Sequence, residues 1–136
     1  MRNISFTLGC VFVAFLSGIL IHLYNKPPRN VARETGIPVT ATELYTQFSS
    51  DHIQANHAYL NKVLQVSGQV LTIKNSPYDG PVVILSTGDP LFGIACSLNR
   101  VEPSAKPVKP GEKITIKGVC TGYLSDVVLS NSCLVN

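Results

Sequence analysis

An uncharged run opens the chain and limits what everything after it can be. Ile4 to Tyr24, ISFTLGCVFVAFLSGILIHLY, carries no charged side chain. At 1.5 Å rise per residue, about 20 helical residues span a hydrocarbon core of about 30 Å. A cleavable signal peptide has a shorter apolar stretch, about 7–15 residues, and then a small-x-small site. His22-Leu23-Tyr24-Asn25-Lys26-Pro27-Pro28 offers no such site. A core helix would show a polar face, and here only scattered Ser, Thr and His22 interrupt the apolar residues. Residues 1–25 therefore read as an uncleaved, single-pass transmembrane anchor that meets the membrane through residues 4–24. Cys10 sits too early for a lipoprotein cleavage site, and Thr7 is a poor lipobox residue, so Cys10 reads as a small apolar membrane residue.

The anchor also absorbs the excess charge. The chain has 136 residues and a formal net charge of +3. Arg2, Lys26, Arg29 and Arg33 lie at or beside the anchor. From Pro38 onward, Lys62, Lys74, Arg100, Lys106, Lys109, Lys113 and Lys117 face Glu43, Asp51, Asp79, Asp89, Glu102, Glu112 and Asp126, seven against seven. A neutral domain lacks the net electrostatic drive behind most non-specific nucleic-acid affinity. The flanking charges favour a cytoplasmic C-terminal domain by the positive-inside rule, although long domains translocate largely regardless of charge.

Residues 26–39 read as a linker, with Pro27, Pro28 and Pro38 breaking any helix. Residues 40–136 read as one compact domain. Thr40 or Thr42 caps a helix in which Ala41, Leu44, Tyr45 and Phe48 form one apolar stripe. Ser49-Ser50-Asp51 offers a break and a new cap, and Asp51 to Leu60 a second short helix with Ile53 and Leu60 facing inward. Alternation then predicts five strands, at 63–74, 81–87, 91–98, 112–123 and 126–135. Leu64, Val66, Gly68 and Val70 share one face of the first. Ile94, Cys96 and Leu98 share one face of the third, and Ile114, Ile116, Gly118 and Cys120 one face of the fourth. Gly68 marks a bulge or sharp coil. The fold class is mainly β: a five-stranded OB-like barrel preceded by one or two short helices and an N-terminal transmembrane helix. The third connection is proline-rich, which moves the helix to a place before the first strand.

Ala55-Asn56 followed by Tyr59, Lys62 and Gly68, then Cys96, then Gly118, Cys120 and Gly122, then Val127 to Cys133, resemble the tRNA-anticodon-like family of bacterial OB-fold domains. The resemblance covers Ala41 to Val135. It implies a bacterial envelope protein, commonly behind a lipoprotein signal or an apolar N-terminus. It implies a remote likeness to nucleic-acid-binding domains and no catalytic residues. The N-terminus departs from that pattern in lacking a lipobox, which leaves the transmembrane anchor at the inner membrane.

The cysteines bear on the compartment. Cys96, Cys120 and Cys133 lie on apolar strand faces, either as reduced core residues or with one disulfide, which would require an oxidising compartment. If Leu124-Ser125 is a two-residue loop, Cys120 lies opposite Leu129 and Cys133 opposite Ile116. The offset is about 13 Å along the strand, beyond the roughly 7 Å Cα limit of a bridge. Third and fifth strands are neighbours in OB topology, so Cys96 with Cys133 is the favoured pair, and it places the domain in the periplasm.

No catalytic, cofactor-binding or metal-binding residue stands out. His52 and His57 sit about 140° apart on a helix and read as surface histidines. Asp79, Asp89 and Asp126 read as turn formers. Tyr78 and Tyr123 read as exposed loop aromatics and, with Lys106, Lys109, Lys113 and Lys117, form the expected ligand face. The function expected is a non-enzymatic, membrane-anchored binding module for a protein, peptide or glycan. Oligonucleotide binding is the alternative.

Overall fold

The computed structural model describes residues 2–25, 29–77, 80–99 and 107–135. Helix α1 spans Arg2–Tyr24. Its window Thr7–Tyr24 has a mean hydropathy of 2.0, and none of it is buried against the rest of the protein. By length and composition it is long and apolar enough to cross a membrane.

The barrel closes on one long strand. β2 (Val63–Ser76), β3 (Gly80–Ser86), β4 (Gly93–Leu98), β6 (Val127–Val135) and β5 (Lys113–Tyr123) are hydrogen-bonded in that spatial order, and β5 returns to β2. The first half of β2 pairs with β5 from Val63↔Val119 to Gln69↔Lys113. Its second half pairs with β3 from Val70↔Leu85 to Ser76↔Gly80. Between these halves the register shifts at Val70/Thr72, a bulge that turns the strand from one neighbour to the next. This is the expected five-stranded OB-like barrel. The alternation is as expected: Leu64, Val66, Val70, Ile94, Cys96, Ile116 and Cys120 all enter the core.

Two helices close one end. Thr40 Oγ1 accepts the Glu43 N–H at 3.2 Å and caps α2 (Ala41–Ser50). Asp51 Oδ1 accepts from Ile53 and Gln54, both at 3.1 Å, and caps α3 (His52–Tyr59). Ala41, Leu44 and Phe48 are the buried stripe that plugs the barrel mouth. Helix α3 departs from expectation. Ala55 and, in part, Tyr59 face inward, whereas Ile53 is 62% exposed and Leu60 is exposed beyond the helix end. At 100° per residue, Ile53 stands about 200° from Ala55 and so cannot share its face.

The described part of the expected linker, residues 29–39, belongs to the fold. A 3₁₀ turn at Val31–Arg33 buries Val31. β1 (Ile37–Thr40) runs parallel to β2 from Ile37↔Leu64 to Thr40↔Ser67. Pro38 is tolerated there because β1 is an edge strand and can leave one N–H position unpaired.

Gly68 is where strand and helix meet. A Cβ at Gly68 would lie 2.9 Å from the Ala41 Cβ, so the start of α2 crosses β2 only over a bare backbone. Gly68→Ala is expected to displace α2 and cost about 1–3 kcal/mol, the usual range for overpacking. A fall in the urea midpoint with an unchanged m-value would register it.

Candidate ligand-binding face and the docked N-terminal segment

The bulges decide where the aromatic side chains point. β5 and β6 shift register between Cys120 and Gly122, and Gly122 has φ +146°, a conformation suited to glycine. The shift reverses the alternation, so Tyr123 turns toward the core instead of outward. Its ring stacks on Phe48 at 5.6 Å between centroids and meets Tyr45 edge-on at 6.3 Å. Phe48 in turn packs on Tyr59 at 6.1 Å. Tyr123 is therefore half-buried wall rather than an exposed stacking platform. Desolvation in this cluster pushes the Tyr45 hydroxyl above the ordinary phenol range, with Asp89, Tyr123 and Asp126 adding to the effect.

The expected basic patch does not converge on Tyr123. Tyr78 and Lys106 lie outside the described residues. Lys113 starts β5 and Tyr123 ends it, which separates them by roughly 30 Å along the strand. Lys109 and Lys113 are exposed at the far end, beside Gln69, whose Nε2 donates to Gly111 O at 3.0 Å. Lys117 is engaged: its Nζ donates to Ala32 O at 3.4 Å, beneath the docked 3₁₀ turn.

The outer wall of β2, β3, β4 and β6 carries a different surface. Inward residues Val83, Leu85, Ile94 and Cys96 alternate with outward Val82, Ile84, Ala95 and Ser97, of which Ile84 is itself buried. Thr72↔Ile84↔Ala95↔Val128 form one row across four strands. Lys74↔Val82↔Ser97 form the next. Among the described residues these rows hold one charge and no aromatic ring. OB domains that bind single strands combine stacking rings with a basic groove.

Cys96 and Cys133, the favoured disulfide pair, are not bridged in this structure. Cys96 lies in the core, while Ser132 is the buried, inward residue of β6 against Gly118. Cys133 follows Ser132 and so faces the other side of the wall. Cys120 pairs opposite Leu129 as expected, but the loop is Leu124–Asp126, and a bulge brings Cys133 opposite Lys117 rather than Ile116. Burial pushes the Cys96 thiol up to about 12 and the Cys120 thiol upward too. Neither is a nucleophile at neutral pH.

A feature absent from the expected site is the clamp on the N-terminal segment. Arg29 holds Glu34 through two bonds of 2.6 Å and donates from Nη1 to Asn61 O at 2.9 Å. The bidentate bond to Arg29 holds the Glu34 carboxyl below its ordinary range. Asn61, in turn, donates to Cys120 O at 2.8 Å, and Cys120 donates to Lys62 O at 3.0 Å. The sequence gives no sign of this clamp, since one partner of Arg29 is a backbone carbonyl remote in the chain.

The family model described as tRNA_anti-like matches residues 4–134. The chain belongs to the tRNA_anti-like family. A crystal structure of a proposed nucleic acid-binding lipoprotein from Klebsiella pneumoniae subsp. pneumoniae MGH 78578 is similar in fold, with a TM-score of 0.58 at 17% identity. The likeness covers 81% of this chain and 100% of that one. No curated protein matches the chain. The residues that carry the tRNA_anti-like resemblance are architectural here. Ala55 and Tyr59 pack α3, Cys120 N–H donates to Lys62 O just before β2, Gly68 admits α2, Gly118 admits Ser132, and Gly122 makes the bulge.

Two outcomes follow for measurement. The folded Cys96 thiol keeps its proton to higher pH than the unfolded one, so its contribution is fully present below about pH 9 and is lost as pH rises toward 12. By pH 10 the loss attributable to Cys96 is about 1 kcal/mol. Cys96→Ala should lower stability at pH 8 but flatten the decline from pH 8 to 10 in urea titrations. Separately, Arg29→Ala should accelerate amide hydrogen exchange across residues 29–36 while leaving the β2 core protected.

Proposed function

We infer that this is a membrane-tethered, non-enzymatic binding module of the bacterial cell envelope, with a protein, peptide or glycan as its ligand. In this reading α1 is a single-pass anchor in the inner membrane and the barrel is periplasmic. The observation that carries the ligand class is the outward row Thr72, Ile84, Ala95 and Val128: uncharged, with Ile84 itself buried and the other three partly exposed, and with no ring on which a base could stack. The exposed apolar surface of α1 supports the tether, and the lipoprotein description of the similar Klebsiella structure is consistent with membrane attachment. Burial of the Cys96 and Cys120 thiols supports a non-catalytic role.

Oligonucleotide binding is the second reading. It is favoured by the nucleic acid-binding description of that same structure and by exposed Lys109 and Lys113 beside Gln69. Titration of the full chain with labelled single-stranded DNA and RNA at two salt concentrations separates the two. The first reading expects no binding even at low salt. The second expects binding that weakens steeply as salt rises and falls further in a Lys109→Ala, Lys113→Ala double variant. Orientation is read by labelling Lys109→Cys in intact cells with an impermeant thiol reagent: labelling at the periplasmic face is expected, and protection would place the barrel in the cytoplasm.

A further inference from the structure

Two leucines stand almost bare in water at the end of the barrel that receives the N-terminal segment. Leu124, at the tip of the β5–β6 loop, is 93% exposed, and Leu91, in the β3–β4 loop, is 79% exposed. Single exposed leucines are common, but these two are held out by built loops. Asp89 Oδ1 accepts from Leu91 N at 2.8 Å and Phe92 N at 3.2 Å. Thr87 Oγ1 donates to Phe92 O at 2.8 Å across the base of the same loop. Asp126 Oδ1 accepts from Gly93 N at 2.8 Å and ties one loop to the other. Both carboxylates are thus turned back onto backbone N–H groups, and the side chains left at the tips are apolar.

The second observation is the route of the chain. Arg29 is fastened to Asn61 O, and Asn61 to Cys120, at the end of β5 that leads into Leu124. Tyr24, the last residue of α1, precedes Arg29 by only five positions, at most about 17 Å of extended chain. Cys120 to Leu124 is about 13 Å of strand. The clamp therefore shortens the free chain between α1 and the barrel to the few residues before Arg29, and fastens it at the end of β5 that leads into Leu124.

We propose that Leu91 and Leu124 form a paired apolar foot that enters the lipid interface, seating the closed end of the barrel on the bilayer surface. The occupant is the acyl-headgroup boundary of a membrane rather than a partner protein, because the chain is fastened to this end of the barrel only five residues after the apolar helix ends. Two leucines add apolar area that is weak alone and effective beside an anchor. This rests on the reading of α1 as a tether.

The chain contains no tryptophan, so a single introduced indole reports one position. The full chain is reconstituted in phosphatidylcholine–phosphatidylglycerol vesicles, with and without brominated acyl chains, as Leu91→Trp, Leu124→Trp and Lys109→Trp. All three positions are exposed, so the indole meets no packed neighbour. The expected result is blue-shifted emission and a loss of intensity on bromination at both Leu91→Trp and Leu124→Trp, with aqueous, unquenched emission at Lys109→Trp. Aqueous, unquenched emission at either tip overturns the proposal, as does equal quenching at Lys109→Trp. Flotation of the unmodified chain with the same vesicles separates the two readings. Failure to float overturns the tether and the foot together, whereas flotation with aqueous tips overturns the foot alone.

Discussion

Everything in the barrel depends on β2 being hydrogen-bonded along both edges while changing partners half-way. Val63 to Gln69 bind β5, and Val70 to Ser76 bind β3. A flat strand could not serve both, because closing a five-stranded sheet demands strong local coil. The bulge after Val70 supplies it, and Gly68 beside it leaves room for Ala41. The helix that seals the mouth therefore sits on the segment that bends the wall. Closure and capping are one event, which is why Leu64, Val66, Leu44 and Phe48 belong to a single core.

That closure consumes the chemistry that a ligand site might have used. Tyr123, Tyr45, Phe48 and Tyr59 become the seal under the helices. Cys96 and Cys120 become small core residues whose thiols hold their protons. The outer wall is left with rows of ringless side chains that carry one charge, Lys74, among the described residues. Most of the tRNA_anti-like residues follow the same logic, since Ala55, Tyr59, Gly68, Cys96, Gly118, Cys120 and Gly122 each serve a turn, a close approach or a packing contact. In this chain the family pattern is thus a record of how the barrel closes.

The segment after the apolar helix changes the picture of the molecule most. As a free linker it would let the barrel swing. Buried Val31, the Arg29–Asn61 bond, the Lys117–Ala32 bond and the parallel strand β1 make it a strap around the barrel. Each contact is modest, and the Arg29–Glu34 pair is exposed and screened by salt. Spread over a dozen positions they fix the direction from which the chain arrives.

The sequence by itself determined the apolar helix, the two capped helices, the five strands and the inward faces of α2 and of the strands up to their bulges. Those are local matters of period, capping and turn chemistry, and a uniform run or a strict alternation announces them. Only the tertiary structure decided where Tyr123 points, why Cys96 and Cys133 face apart, which way α3 turns Ile53, and that residues 29–40 dock. These depend on single-residue register shifts and on backbone carbonyls as partners. A one-residue bulge reverses every side chain beyond it, and a carbonyl has no residue type for the sequence to display.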